Sequence, residues 1–173
     1  MKNKLAFILA TWFGSGLIPP IILKGMAGTY GSFFSLPLVW AALWLSANVS
    51  PLVYIGIILM IYLLGLWSVP ITEIVLGPKM DWKGKIKSHD QNQIVIDETL
   101  GMLMTCCALS FNNPYLIMHL LLGFIYFRIF DIIKVPPTKF FDKLKTANGV
   151  MLDDAMAGIY AFIALKATIY LFF

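Results

Sequence analysis

Two adjacent carboxylates, Asp153 and Asp154, open the last apolar run of the chain, GVMLDDAMAGIYAFIALKATIYLFF. Asp97 and Glu98 stand the same way at the head of another run, in IVIDETLG, and Asp131 ends a third, in YFRIFDIIKVPP. A charge near hydrocarbon costs roughly 2.5 to 3.5 kcal/mol on insertion scales, so acids at such borders need a counter-charge. Oxygen-only ligands without a His or Cys cluster suit magnesium, which takes one or two carboxylates, keeps several waters and borrows the rest of its shell from a phosphate. The acids therefore predict a magnesium ion among them.

In YFRIFDIIKVPP, Arg128, Asp131 and Lys134 fall at i, i+3 and i+6, which on a helix sets a carboxylate between two cations just before Pro136 and Pro137 stop it. Arg suits bidentate phosphate contact and Lys a point-charge one. The same spacing equally makes a local ion-pair ladder. In GMAGTYGSFF, the small residues Gly28, Thr29, Gly31 and Ser32 precede a long apolar helix. Such a loop leaves backbone N–H groups free for an anion, although a helix capped by Ser32 explains it as well. His89, in a polar loop, is expected to face solvent, and His119, mid-segment, to bond a neighbouring helix. No Asp-x-Asp-x-Thr, Gly-x-Ser-x-Gly or Cys-x5-Arg pattern is present, so the common phosphatase and hydrolase nucleophiles are missing.

The elements that must position these groups are membrane helices. Of 173 residues 60% are hydrophobic and 13% charged, with a mean hydropathy of +0.82, against roughly 45 to 50% and about 25% in soluble domains. No charge occurs between Lys24 and Glu73. Apolar segments run over 5–23, 33–47, 52–70, 99–111, 115–127 and 155–173, with turns at ANVSP and FNNPY. Without a period-2 strand series these predict helices, hence a single all-α membrane-embedded domain over residues 1–173, a compact bundle with hairpins. The pair 99–111 and 115–127 is short for a crossing, so that hairpin is a candidate re-entrant one.

The N-terminal run resembles a secretory signal but lacks a convincing Ala-x-Ala site and is expected to be retained. Cys106 and Cys107, being neighbours, are expected to pack rather than to bridge. Tyr54, Trp67 and Trp82 read as interfacial anchors. The net charge of +4 is no argument for nucleic acid. Lys79, Lys83, Lys85 and Lys87 in one loop and Lys134, Lys139, Lys143 and Lys145 in another, with Lys2, Lys4 and Lys24, predict a cytoplasmic face by the positive-inside rule. Six carboxylates, Glu73, Asp97, Glu98, Asp131, Asp153 and Asp154, then gather at that face.

Taken together, GTYGS, IVIDETLG and FRIFDIIKVPP followed by GVMLDDAMAG resemble the phosphatidylglycerophosphatase A family, in the same order and from about Ala10 to the C-terminus. The resemblance implies a magnesium-dependent, multi-pass phosphatase of the bacterial inner membrane that converts phosphatidylglycerophosphate into phosphatidylglycerol, a step of phospholipid biosynthesis. It places Asp97, Glu98, Asp131, Asp153 and Asp154 on the family's acidic positions, a subset of which would hold the magnesium, Arg128 and Lys134 on its basic ones, and Gly28, Thr29, Gly31 and Ser32 on its small-residue motif. Val135, Ala27 and Gln91 stand where the family usually has proline, and IILK lengthens the first loop. The expected chemistry is attack on phosphorus by an activated water or directly by an aspartate. A small transporter or proton channel is the competing reading, and it predicts acids spread through the bilayer depth.

Overall fold

The computed structural model describes residues 2–18, 26–80, 84 and 86–172. Lys24, Trp82, Lys83, Lys85 and the 19–23 end of the first apolar run lie outside the described residues. Seven α-helices occur among those described: α1 (Lys2–Ala10), α2 (Ala27–Asn48), α3 (Pro51–Leu76), α4 (Ile96–Cys106), α5 (Leu116–Ile133), α6 (Thr138–Asp142) and α7 (Ala147–Phe172). A two-residue antiparallel ladder, β1 (Lys79–Met80) with β2 (Ile86–Lys87), is the one sheet among them.

Four helices, α2, α3, α5 and α7, are long and apolar enough to cross a membrane, with 22, 26, 18 and 26 residues. At about 1.5 Å per residue each reaches close to or beyond a hydrocarbon core of about 30 Å. The outer faces are apolar as a bilayer requires: Leu52, Ile55, Leu59 and Leu63, spaced three and four apart on α3, are all exposed. Both expected hairpin turns form. Ser50 caps α3, accepting from the Leu52 N–H at 3.3 Å with Pro51 in the first position, and Asn113 accepts from the Tyr115 N–H at 2.8 Å before α5.

The second hairpin is unequal. Helix α5 continues past residue 127 to Ile133 and is of spanning length, whereas α4 has eleven residues, roughly half a crossing. Nine of those eleven are buried, because α4 is surrounded by α2, α3, α5 and α7. Its closest neighbour is α7. A Cβ on Gly158 would lie 2.5 Å from the Gly101 carbonyl oxygen and one on Gly101 would lie 2.9 Å from the Asp154 carbonyl oxygen, so only glycine permits this approach.

The first apolar run is not one long helix. Helix α1 ends at Ala10, and the chain turns through Trp12, Phe13 and Gly14 at φ of 45°, 55° and 87°. The turn is held from outside: the Trp12 Nε1–H donates to the Phe34 carbonyl on α2 at 3.1 Å, and the Val95 N–H donates to the Ala10 carbonyl at 2.8 Å. Tyr54 is likewise no surface anchor, being buried with its hydroxyl donating to the Leu103 carbonyl at 2.9 Å. Trp67 is exposed on α3, and Cys106 is buried beside an exposed Cys107, both free.

Alternation of direction along the bundle brings the starts of α2, α4 and α7 and the ends of α3 and α5 to one end. All six expected carboxylates are found there.

Candidate active site

At that end lies a cavity of about 150 Å³, walled by Asp97 and Glu98 of α4, Arg128 and Asp131 of α5, and Asp153 and Asp154 of α7, with Gly28 and Lys134 at its edge. Asp97 and Glu98 occupy the first turn of α4, where the helix dipole favours negative charge. The Gly101–Gly158 approach, one turn further along both helices, brings Asp154 against them. One oxygen from each of Asp97, Glu98 and Asp154 lies within 4.8 Å of the others, so these three could hold a metal ion.

Asp97 and Asp154 are only 7% and 4% exposed. Asp97 Oδ1 and Glu98 Oε2 are buried without a hydrogen-bond partner among the described residues. Burial, reinforced by the charges of Glu98 and Asp154, pushes the Asp97 carboxyl well above the usual range. Burial also pushes Glu98 up to about 7, against the pull of its hydrogen bond with Asp97 and of the Arg128 charge.

The cations divide the remaining acids between them. Arg128 Nη1 lies 2.8 Å from Asp131 Oδ2, one helical turn on, 3.3 Å from Ser32 Oγ and 4.0 Å from Glu98 Oε1. Lys134 departs from the expected ladder. It ends α5 in the left-handed region at φ 50°, before the two prolines, and its ammonium meets Asp153 Oδ2 on α7 at 2.5 Å. A residue in helical conformation would have pointed along α5; the left-handed one turns the side chain across to the neighbouring helix.

The small-residue motif is not a loop. Helix α2 already begins at Ala27, after Met26, so Gly28, Thr29, Gly31 and Ser32 are helical and Ser32 does not cap. Their smallness serves close packing instead. A Cβ on Gly28 would collide with Glu98 Oε1 and lie 3.1 Å from Arg128 Nη1, and one on Gly31 would lie 2.6 Å from the Val95 Cβ. Ser32 Oγ donates to the Gly28 carbonyl at 2.8 Å and accepts from Arg128. Thr29 is half-buried and does not line the cavity.

The sequence model of the family described as Phosphatidylglycerophosphatase A matches residues 8–169. The chain belongs to this family. A relative named phosphatidylglycerophosphatase A from Haemophilus influenzae is 33% identical over 164 residues, covering 94% of this chain and 88% of its own. The protein of the same name from Escherichia coli is 32% identical over 154 residues, covering 88% and 76%. A Bacteroides thetaiotaomicron relative, provisionally named a phosphatidylinositol-3-phosphatase, is 27% identical over 163 residues, covering 93% and 91%. No solved structure matches the chain significantly.

For this member of the phosphatidylglycerophosphatase A family, sequence reasoning overlooked two groups. Asp90 and Asn92 also line the cavity, and the polar run HDQNQ directly before IVIDE was the available signal. His89 does not simply face solvent: it is half-buried, with Nδ1 2.7 Å from Glu73 Oε1. His119 is buried beside Tyr115, with ring centroids 6.3 Å apart, and does not line the cavity.

The Gly28 geometry has a measurable consequence. In Gly28→Ala the methyl group displaces the Glu98 carboxylate and crowds Arg128, both ends of flexible side chains that can yield without unfolding the bundle. Turnover is expected to fall about tenfold or more while the melting temperature in detergent changes little, since a displacement near 1 Å at a reacting site costs up to about a hundredfold. A variant with wild-type turnover would show that Glu98 and Arg128 need not hold their positions.

Proposed function

We propose that this chain hydrolyses the terminal phosphomonoester of phosphatidylglycerophosphate, giving phosphatidylglycerol and inorganic phosphate with magnesium as cofactor. That it is a lipid phosphatase follows from its family. The observation that carries the finer reading is the triad of buried carboxylates, Asp97, Glu98 and Asp154, beside Arg128 and Lys134 in one phosphate-sized cavity at the end of a membrane bundle.

Magnesium fits these residues. The ligand atoms are all hard oxygens, they converge within 4.8 Å, and Asp97 Oδ1 and Glu98 Oε2 lack other partners among the described residues. Asp97, Glu98 and Asp154 would hold it, and when bound it would polarise the phosphoryl group and offset the charge of the acids. Arg128 is fixed by Asp131 and Ser32 through Nη1, and its buried Nε, unpartnered among the described residues, is free to donate to a phosphoryl oxygen. Lys134, set by Asp153, supplies a second positive charge. In the hydrolysis a water oxygen bonds to phosphorus, the bond to the glycerol oxygen breaks, and that oxygen leaves with a proton. Direct attack by an aspartate remains the variant, with water completing the second step.

The test is phosphate release by purified protein from phosphatidylglycerophosphate, with phosphatidylinositol 3-phosphate in parallel. Preference for the former by an order of magnitude is expected, and the reverse preference would replace it with the substrate class in the name of the Bacteroides relative. A transporter or channel would have needed acids through the bilayer depth, whereas the acids on the described spanning helices all lie toward one end.

That end is assigned to the cytoplasmic face of the bacterial inner membrane, because Lys79, Lys87, Lys139, Lys143 and Lys145 are in the loops beside it. In a background with Cys106 and Cys107 replaced, Lys143→Cys is expected to resist an impermeant thiol reagent in sealed cells and to label once the membrane is opened. Strong labelling in sealed cells would reverse the orientation.

A further inference from the structure

The proposed substrate carries a second negative group that the catalytic cavity does not serve. Its terminal phosphomonoester has Arg128 and Lys134 beside it. The inner phosphodiester stands further along the headgroup, beyond the glycerol carbons, and calls for cations of its own at the membrane border.

The β1–β2 ladder offers them. Lys79 of β1 stands directly opposite Lys87 of β2, and Met80 opposite Ile86. Opposed residues project to the same face of a ladder and successive ones to opposite faces, so this ribbon has a lysine face and an apolar face. Like charges placed directly opposite repel, and an anion between them removes the repulsion. Neither ammonium is saturated. Lys87 Nζ donates to the Asp90 carbonyl at 3.2 Å and to Asp90 Oδ2 at 3.3 Å, which uses two of its three N–H groups. Lys79 is exposed and forms no ion pair among the described residues.

The ribbon is also held where a lipid headgroup lies. Lys79 follows the end of α3 at Leu76 by three residues, a reach of at most about 11 Å. The returning chain is tied to the same helix end: the Asp90 N–H donates to Glu73 Oε1 at 2.8 Å, and Gln91 Nε2 donates to the Gly77 carbonyl at 3.0 Å. Met80 and Ile86 are 71% and 73% exposed, an apolar face suited to the border of the acyl layer. The lysines border a groove lined by Lys79, Met80, Lys87, Gln91, Asn92 and Gln93. Asn92 lines the catalytic cavity as well, so the groove and the cavity adjoin at that side chain. The groove itself has about 10 Å³, room for about one water. A phosphate therefore lies across its mouth, on the ammonium groups, with its ester arms outside.

We infer that Lys79 and Lys87 form a second anion subsite, which receives the inner phosphodiester of the lipid headgroup while the terminal phosphate occupies the catalytic cavity. Both lysines bind and neither touches the reacting atoms. The diester does not change during the reaction, so they hold ground state and transition state alike, and their contribution falls on KM rather than on kcat. The subsite favours lipids with both a diester and a terminal monoester over lipids with a monoester alone, such as phosphatidic acid. The inference rests on the phosphomonoester hydrolysis proposed above.

The experiment measures kcat and KM on phosphatidylglycerophosphate in detergent micelles for wild type, Lys79→Gln, Lys79→Arg and Lys143→Gln, with phosphatidic acid as a competitor. Lys143 is exposed in the other basic loop and lines neither the groove nor the cavity, so its variant makes the same change of charge elsewhere. Loss of one charged contact is expected to raise KM about tenfold in Lys79→Gln. Lys79→Arg and Lys143→Gln are expected to stay within about twofold of wild type, with kcat unchanged in all. The inhibition constant of phosphatidic acid, which has no inner diester, is expected to be the same in wild type and Lys79→Gln. An unchanged KM in Lys79→Gln overturns the subsite, as does a fall in kcat at constant KM. An equal rise of KM in Lys143→Gln overturns it by marking a general attraction of basic loops for anionic lipid, and a parallel rise in the inhibition constant of phosphatidic acid does so by moving Lys79 to the terminal phosphate. Should phosphatidic acid not compete with wild type, the comparison with Lys143→Gln decides alone. A wild type that releases no phosphate overturns the proposed hydrolysis, and the subsite with it.

Discussion

Asp154→Asn is expected to lower phosphate release by about a hundredfold to a thousandfold, and Asp97→Asn by a similar factor, the scale on which single charge-stabilising groups act at reacting centres. Both residues contribute an oxygen to the buried triad, and an amide keeps the shape of the carboxylate while removing its charge. The fold is expected to survive and to gain. Burial and the neighbouring acids raise Asp97 and Glu98, so the folded protein without a cation holds protons more tightly than the unfolded chain does. Its stability therefore falls as pH rises, for Glu98 from its ordinary value of 4.5 through the folded value of about 7. Replacing one acid of the triad relieves that penalty. The measurement pairs turnover with the melting temperature of metal-free protein above pH 7: activity should collapse while the melting temperature holds or rises. Retained turnover in both variants would make the triad structural.

Chelation is expected to abolish turnover, and magnesium to restore it. A cation bound by Asp97, Glu98 and Asp154 must displace the protons that burial places on Asp97 and Glu98, so binding releases protons and weakens as pH falls below about 7, the value to which Glu98 is raised. Calorimetry in two buffers of different ionisation enthalpy reads that proton release directly, independently of activity. Full turnover in excess EDTA, or a strict demand for zinc, would remove magnesium from the site. Binding with no proton release would move the cation away from the raised carboxyls.

The two experiments separate the acids by role. Asp131 and Asp153 are already paired with Arg128 and Lys134, so their loss is expected to act mainly by freeing those cations from position. The sequence alone offered all five acids as equal ligands. The distinction is one of distance: Arg128 lies 2.8 Å from Asp131 and Lys134 2.5 Å from Asp153, whereas Arg128 stands 4.0 Å from Glu98.

Much of the architecture was legible because it depends on local properties of the chain. Long uncharged runs must bond their own backbone in hydrocarbon, so α2, α3, α5 and α7 follow from hydropathy, and Pro51 and Asn113 fix the turns. Short turns between antiparallel helices return the chain to the same end, which is why the gathering of Glu73, Asp97, Glu98, Asp131, Asp153 and Asp154 could be read from their positions beside the segments. The Arg128–Asp131 pair is a one-turn contact and was equally visible.

What the tertiary structure decided was rotation and depth. Gly101 against Gly158 sets how α4 and α7 face each other, and hence that Asp154 joins Asp97 and Glu98 rather than Asp153 doing so. The helical conformation of Gly28 to Ser32, the left-handed Lys134 and the break after Ala10 each answer to a partner far away in sequence: Glu98, Asp153, and the pair Phe34 and Val95. His89 was misread for the same reason, since its partner Glu73 lies on another helix. Hydropathy and helical period carry information along one segment only. The contacts that choose among five acids, and that turn a loop histidine inward, arise between segments and exist only once the helices have packed.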